Sequence, residues 1–287
     1  MGSTATSNWD IEIRPEQPWW KPDLKEFWHY RDLLMLLVKR DLTAQYKQTV
    51  LGPVWLVLQP LLTTLVYTVM FGMLARWSPK GIPALLFYLS GIVPWTYFST
   101  VTTRTSRTFV SNASVLTKVY FPRLVMPVST TISALFSLIV QLGLLVVIIL
   151  FYTLFRHYQW TPSPSLIALP VVIALMSILG LGIGILVSAV TTKYRDLGFL
   201  VAYGVQLLMF VSPVIFPLSL VAEKNPALLP FIKANPMTAI IETVRTMFFG
   251  GTIDWAGLGY TAIFSSVLFI VGLAIFQRVE RSFADII

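Results

Sequence analysis

The chain has 287 residues, of which 56% are apolar and only 12% charged. A soluble domain needs roughly a quarter of its residues charged to cover its surface, so this composition reads as a membrane protein. The net charge of +8 comes with no cysteine at all, which excludes disulfides, thiolate catalysis and cysteine-ligated metals.

Residues 1–26 read as a polar cytoplasmic tail. Met1–Trp20 has no apolar core ahead of a small-residue cleavage site, so no signal peptide is expected, and the opening MGSTATSN is kept out of the fold reading. Residues 27–51 read as an amphipathic interface helix and its connector. On a helical wheel Tyr30, Leu33, Leu34 and Leu37 fall on one side, with Asp32, Met35 and Lys39 on the other. Such a helix is expected to lie along the membrane surface. Asp41 falls toward the apolar face, so a bend or an end is expected there, before Gly52 and Pro53 open the first span.

Residues 52–277 read as an all-α membrane domain, since apolar segments of about 20 residues cross a hydrocarbon core as helices. Candidates lie near Pro53–Leu74, Leu85–Thr105, Leu124–Phe155, Leu166–Val190, Leu197–Phe216 and Leu258–Phe276, which makes about six spans. The third is overlong and is expected to tilt or project. Between the fifth and sixth, Pro213, Pro217, Pro226, Pro230 and Pro236 break the chain into pieces too short to cross. Short re-entrant helices at about 227–250 fit that pattern, because irregular backbone at membrane depth survives only where protein or a wet cavity satisfies it. Within them, Glu242 and Arg245 are three apart and form a candidate outer-gate or subunit-contact pair, or a plain structural ion pair. Residues 278–287 close the chain as a cytoplasmic tail.

Sidedness follows from lysine and arginine, which are retained near cytoplasmic span ends. With the N-terminus inside, the inner side receives Arg14, Lys21, Lys25, Arg31, Lys39, Arg40, Lys47, Arg104, Arg107, Lys118, Arg123, Lys193, Arg195, Arg278 and Arg281. The outer side keeps Arg76, Lys80, Arg156, Lys224, Lys233 and Arg245. Both termini are therefore expected in the cytoplasm of a multi-pass inner-membrane protein. The positive charge reflects this orientation and contact with anionic lipid; without a soluble basic domain, no nucleic-acid partner is expected. His29 and His157 lie on opposite expected sides, so neither a zinc site nor a histidine triad is expected.

Recognition begins at Arg40–Trp55, RDLTAQYKQTVLGPVW, which resembles the signature of ABC permeases that export polysaccharides and polyol phosphates. LTKVYFPR at Leu116–Arg123, KYRDLG at Lys193–Gly198, SPVIFP at Ser212–Pro217, NPMTAIIETVR at Asn235–Arg245 and VERSFADII at Val279–Ile287 are similar to further segments of that family, in the family order. The resemblance runs from about Asp32 to the end. It implies a homodimer working with two copies of a cytoplasmic ATPase, which binds the ATP and magnesium, and a lipid-linked polysaccharide as cargo. It also implies that the second and third cytoplasmic loops carry the elements that press on the ATPase.

The loop chemistry agrees with that role. A force-transmitting element needs an apolar plug and charges that fix its register. Val115, Val119, Tyr120 and Phe121 offer the plug, Lys118 and Arg123 the charge, and Tyr194, Arg195 and Asp196 repeat the pattern on a shorter turn. A basic loop that merely holds topology has the same composition. No G-x-x-x-x-G-K-[ST] phosphate loop occurs, so ATP hydrolysis is expected on a separate chain and this one is expected to be a non-catalytic transport subunit. Gly180, Gly182 and Gly184 lie inside an apolar span and are expected to serve close helix packing rather than a nucleotide. Asn112-Ala-Ser114 matches a glycosylation pattern, but on the cytoplasmic side that is a chance match.

A path for sugar chains favours aromatic faces, which accept C–H surfaces through many weak contacts. Trp55, Tyr67, Phe71, Trp95, Tyr97, Phe98, Phe210 and Phe216 are the candidates for its lining, with belt and core packing as the alternative. The implied lipid diphosphate makes Lys25, Arg31, Lys39, Arg40 and Lys47 candidates for receiving an anionic head from the cytoplasm, or anchors to lipid headgroups. An ABC exporter of drugs or free lipids differs from this reading mainly in the path. A membrane glycosyltransferase needs membrane-facing carboxylates, and these are almost absent from the spans.

Overall fold

The computed structural model describes residues 24–47, 50–79, 81–112, 121–160, 163–191 and 196–282. Two helices lead into the bundle, α1 (Leu24–His29) and α2 (Arg31–Tyr46). A short 3-10 turn opens α3 (Trp55–Tyr67), which runs on as π-helical turns over Thr68–Leu74. Then come α4 (Ala84–Ser106), the single turn α5 (Thr108–Ser111), α6 (Val125–Arg156) and α7 (Leu169–Thr191). The chain continues through α8 (Leu197–Val211), α9 (Leu218–Lys224), α10 (Leu229–Ala234), α11 (Pro236–Phe249) and α12 (Trp255–Ser282). The all-helical build follows from the solvent: in hydrocarbon the backbone must satisfy its own N–H and C=O groups.

Among the described residues, five helical segments are long and apolar enough to cross a membrane: Gly52–Leu74, Ala84–Ser106, Val125–Arg156, Pro164–Thr191 and Trp255–Arg278. The protein is thus a multi-pass membrane protein. The expected fifth span is shorter than foreseen, because α8 has 15 residues, about 22 Å of helix, against a core of about 30 Å. Its end is set at Ser212, whose extended backbone leads into Pro213. Short helices do occupy the stretch after it, with α11 buried along most of its length.

The centre of the bundle is α4. In its most apolar stretch 72% of the residues are buried, against 22–39% in the other four spans, so α4 is the span the rest pack around. Glycines set the closest approaches. A Cβ on Gly184 would sit 2.5 Å from the Thr105 Cβ, and one on Gly180 would sit 2.9 Å from Val101, so α7 lies directly on α4. On the other side of α7, a Cβ on Gly272 would meet the Gly182 carbonyl at 2.8 Å, which brings α12 equally close. The three glycines of α7 therefore pack helices, as their apolar setting foretold. Leu62, Val66, Met73, Ile139, Phe199, Ile263 and Ile270 stay exposed on the outer helices, an apolar surface of the kind that lipid or a partner chain covers.

Two expectations for α2 change. The helix does not stop at Asp41, because Arg40 donates to the Asp41 carboxylate through Nε at 3.0 Å and Nη2 at 2.8 Å and satisfies it in place. The apolar side of the wheel is also real but faces protein: Leu37 is buried with Phe121, Val125 and Met126, flanked by Phe27, Tyr30, Leu33 and Leu34. α2 is docked on the start of α6. Its other side leaves Met35 and Leu36 exposed.

Candidate functional site

The α2 end of the bundle is tied together by polar contacts between segments far apart in sequence. Arg40 Nη2 reaches Asn112 Oδ1 at 3.2 Å, joining α2 to the residue that follows α5. Thr191 Oγ1 donates to the Ser106 carbonyl at 2.7 Å, joining the ends of α7 and α4. Next to it, Arg107 Nη2 donates to the Gly198 carbonyl at 3.0 Å and its guanidinium lies 4.9 Å from the Phe199 ring centroid. Gly198 lets the two approach closely, since a Cβ there would come within 3.2 Å of Arg107 Nε. Each tie flanks one of the two loops expected to meet an ATPase.

Val115, Lys118, Val119, Tyr120, Tyr194 and Arg195 of those loops lie outside the described residues, as does the side chain of Lys25. Phe121 is described and corrects its assignment: it is 4% exposed, packed under α2, so it anchors the interface helix and is not free to plug a partner. Arg123 is half-buried and Asp196 is exposed at the start of α8. Arg31, Lys39, Arg40 and Lys47 are all exposed on α2 and its C-terminal end. Spread along a helix of 16 residues, about 24 Å, they make a basic strip and not a converging pocket. Arg31 and Arg40 each also face a neighbouring carboxylate, Asp32 at 3.8 Å and Asp41 at 2.8 Å.

The aromatic candidates separate into three sets. Trp95, Tyr97 and Phe98 are buried at 5%, 3% and 1% exposure, so they are core and not lining. Trp95 meets Phe98 edge-on at 5.4 Å, and the Tyr97 hydroxyl shares a 2.6 Å hydrogen bond with Ser177. The reason is that α4, unlike the other spans, is surrounded on nearly every side. Trp55 is half-exposed where α3 begins.

Tyr67, Phe71, Phe210 and Phe216 come near one another at the end of the bundle away from α2. Tyr67 touches Phe71 edge-on at 5.5 Å and its hydroxyl reaches Met209 Sδ at 3.9 Å, which joins α3 to α8. Phe71 stacks on Trp77 at 5.7 Å. Beyond Trp77 opens an apolar cleft of about 390 Å³, lined by Trp77, Phe210, Phe216, Leu220, Lys224 and Phe231 among others. Trp77 and Phe231 are not among the aromatics picked from the sequence. Trp77 sits in a loop with no helical period to mark it, and Phe231 in a helix of one turn and a half.

The same end holds Arg245, the one charged side chain described as buried, at 6% exposure. Its Nη1 donates to Glu242 Oε1 at 2.7 Å, its Nη2 to the Val214 carbonyl at 3.1 Å, and its guanidinium covers the Phe87 ring at 3.8 Å. Gly91 makes the room, because a Cβ there would lie 2.9 Å from Arg245 Nη2. Asn235 adds a second tie to the same turn: Nδ2 donates to Ser212 Oγ at 2.8 Å while Oδ1 caps α11 at Met237 N. Arg245 is therefore enclosed within the protomer, where it fixes the Ser212–Pro217 turn to α11 and α4. Glu242 keeps a third of its side chain exposed.

Crossing helices around a buried α4, a docked amphipathic helix at one end and an aromatic cleft at the other are the build of a multi-pass membrane protein. The chain belongs to the ABC-2 type transporter family, whose model matches residues 32–249. It is 28% identical over 256 residues to the O-antigen export system permease protein RfbA of Klebsiella pneumoniae, covering 89% of this chain and 95% of that one. To the RfbA permease of Myxococcus xanthus it is 30% identical over 263 residues, covering 91% and 98%. With the polysialic acid transport protein KpsM of Escherichia coli it shares 24% over 248 residues, covering 86% and 93%.

Proposed function

We propose that this chain is the transmembrane subunit of an ATP-driven exporter that moves a lipid-linked polysaccharide, of O-antigen or capsular type, out of the cytoplasm across the inner membrane. The observation that carries the reading is end-to-end similarity to permeases named for O-antigen and polysialic acid export. The chain works as a homodimer with two copies of a cytoplasmic ATPase, which holds ATP and magnesium, since no phosphate loop occurs in its own sequence. Both termini lie in the cytoplasm, in keeping with Arg31, Lys39, Arg40, Lys47, Arg104, Arg107 and Arg123 at the α2 end of the bundle.

In this mechanism the anionic head of the lipid-linked chain meets the basic strip on α2, together with Lys25. The loops at 113–120 and 192–195 take the thrust of the ATPase, and the ties at Asn112 and Gly198 pass it to α2, α4 and α8. Sugars pass the aromatic faces between α3 and α8, where stacking is weak enough per contact to let a polymer slide. The outer turn held by Arg245 lies beside the exit.

The test is export in cells. Deleting the gene is expected to abolish surface polysaccharide while lipid-linked chains accumulate inside, with restoration by the chain only when its ATPase is present. The combined change Trp77→Ala, Phe210→Ala and Phe216→Ala is expected to cut export of long chains severely at matched protein level, each single change costing only about 1 kcal/mol. Unchanged surface polysaccharide in the deletion strain refutes the cargo and favours an exporter of drugs or free lipids.

A further inference from the structure

At the end of the bundle remote from α2, a second hollow differs in character from the aromatic cleft. It has a volume of about 1040 Å³ and is lined by Tyr152, Arg156, His157, Tyr158, Gln159 and Gly81, among others. α6 alone separates it from α2: 32 residues of helix, about 48 Å, run between the α2 contact at Val125 and this rim. The volume is at the upper end of the roughly 300–1,000 Å³ of small-molecule sites, enough for more than a single sugar ring.

The rim is shaped by how α6 ends. His157 takes the left-handed conformation, φ 54°, where glycine is the usual residue, and its N–H closes the helix on the Tyr152 carbonyl. The chain therefore turns sharply, and Arg156 to Gln159 border the hollow instead of prolonging the helix. Trp160 Nε1 donates to the Phe248 carbonyl at 2.8 Å and pins this turn to the C-terminal end of α11.

The lining carries several donors that other side chains of the protein do not engage, with Arg156, His157 and Gln159 exposed around it. Among the described residues, no side-chain hydrogen bond or ion pair engages Arg156, His157, Tyr158 or Gln159. Tyr158 is half-buried, and burial raises its hydroxyl above the ordinary value, which keeps it a donor. Two tyrosine rings supply flat apolar faces, and no carboxylate is among the described residues that line the hollow. Stacking faces among several directional donors suit a polyhydroxylated chain, neutral or acidic, and not a cation or an alkyl tail.

Position links this hollow to the cleft. Trp77 lines the cleft and Gly81 lines the hollow, and four residues of chain span at most about 14 Å. We infer that the polar hollow is an exit-side subsite that binds several sugar units of the chain leaving the aromatic cleft. The inference rests on the export reading above.

Because the chain has no cysteine, Ile82→Cys on the wall of the hollow gives one site for an environment-sensitive fluorophore. The labelled permease, assembled with its ATPase in lipid nanodiscs, is titrated with the host's own polysaccharide released from its lipid by mild acid, and separately with inorganic pyrophosphate. A saturable signal with the polysaccharide is expected, weakened at least tenfold by Arg156→Gln with Gln159→Ala, both surface changes that leave the fold alone. Tyr158→Phe, which keeps the ring, is expected to weaken it less than Tyr158→Ala. No saturable signal, a signal untouched by the paired substitution, or equal saturation by pyrophosphate overturns the inference. Loss of surface polysaccharide on gene deletion combined with no binding here refutes this subsite alone; polysaccharide export that persists without the gene removes the broader reading and this one with it.

Discussion

Replacing Arg245 with methionine removes a charged fork from a place where it is only 6% exposed. Three contacts disappear: Glu242 at 2.7 Å, the Val214 carbonyl at 3.1 Å and the Phe87 face at 3.8 Å. A hydrogen bond to a charged group is worth about 1.5–3 kcal/mol, and a desolvated cation–π contact about 2 kcal/mol. The freed Glu242 has a third of its side chain in contact with solvent, so it rehydrates and adds little. Opposing these losses is relief from burying a guanidinium whose Nε has no hydrogen-bond partner among the described residues. Methionine also keeps much of the stem packing. The balance is a loss of about 2–4 kcal/mol, concentrated on the Ser212–Pro217 turn because the Val214 carbonyl is the point Arg245 holds. Val214 is fully buried, so a lone thiol from Val214→Cys reacts with maleimide only when the turn opens. A loss of about 3 kcal/mol raises the open population on the order of a hundredfold, and labelling is expected to quicken accordingly. Arg245→Lys, keeping one contact without the fork, is expected to fall between. Equal labelling rates with and without Arg245→Met would refute the latch.

Three further perturbations test the packing and the ties. Gly184→Ala is expected to cost about 1–3 kcal/mol in thermal unfolding, since its methyl meets Thr105 at 2.5 Å, whereas Gly143→Ala, with nothing within 4 Å, is expected to be neutral or mildly stabilising. Phe121→Ala empties the pocket under α2 at a cost of about 3–5 kcal/mol if the site does not collapse; faster tryptic cutting at Lys39 and Arg40 is the expected sign, and unchanged cutting counts against docking. Arg107→Ala is expected to leave the ATPase bound and hydrolysing while export drops, because the substitution removes the tie to Gly198 and changes no residue of the loops at 113–120 and 192–195. Release of the ATPase would instead make Arg107 part of its docking surface.

Sequence alone determined what depends on solvent and local periodicity. Apolar runs separated by charge and proline make membrane helices wherever they occur, since hydrocarbon leaves the backbone no other partner. The wheel of α2 and the packing glycines of α7 were legible for a similar reason: a helix face is a property of spacing. Which face meets what is not. Trp95, Tyr97 and Phe98 have the same residue types as Phe210 and Phe216, yet burial separates them, because α4 is enclosed by its neighbours and α8 is not. Phe121 looked like an exposed plug until α2, more than seventy residues away in sequence, was seen to cover it. The partners of Arg245, the tie between Arg107 and Gly198, and the place of Trp77 in the cleft join segments that are distant along the chain. Such contacts are set by how helices stack against one another, and no window of neighbouring residues carries that information.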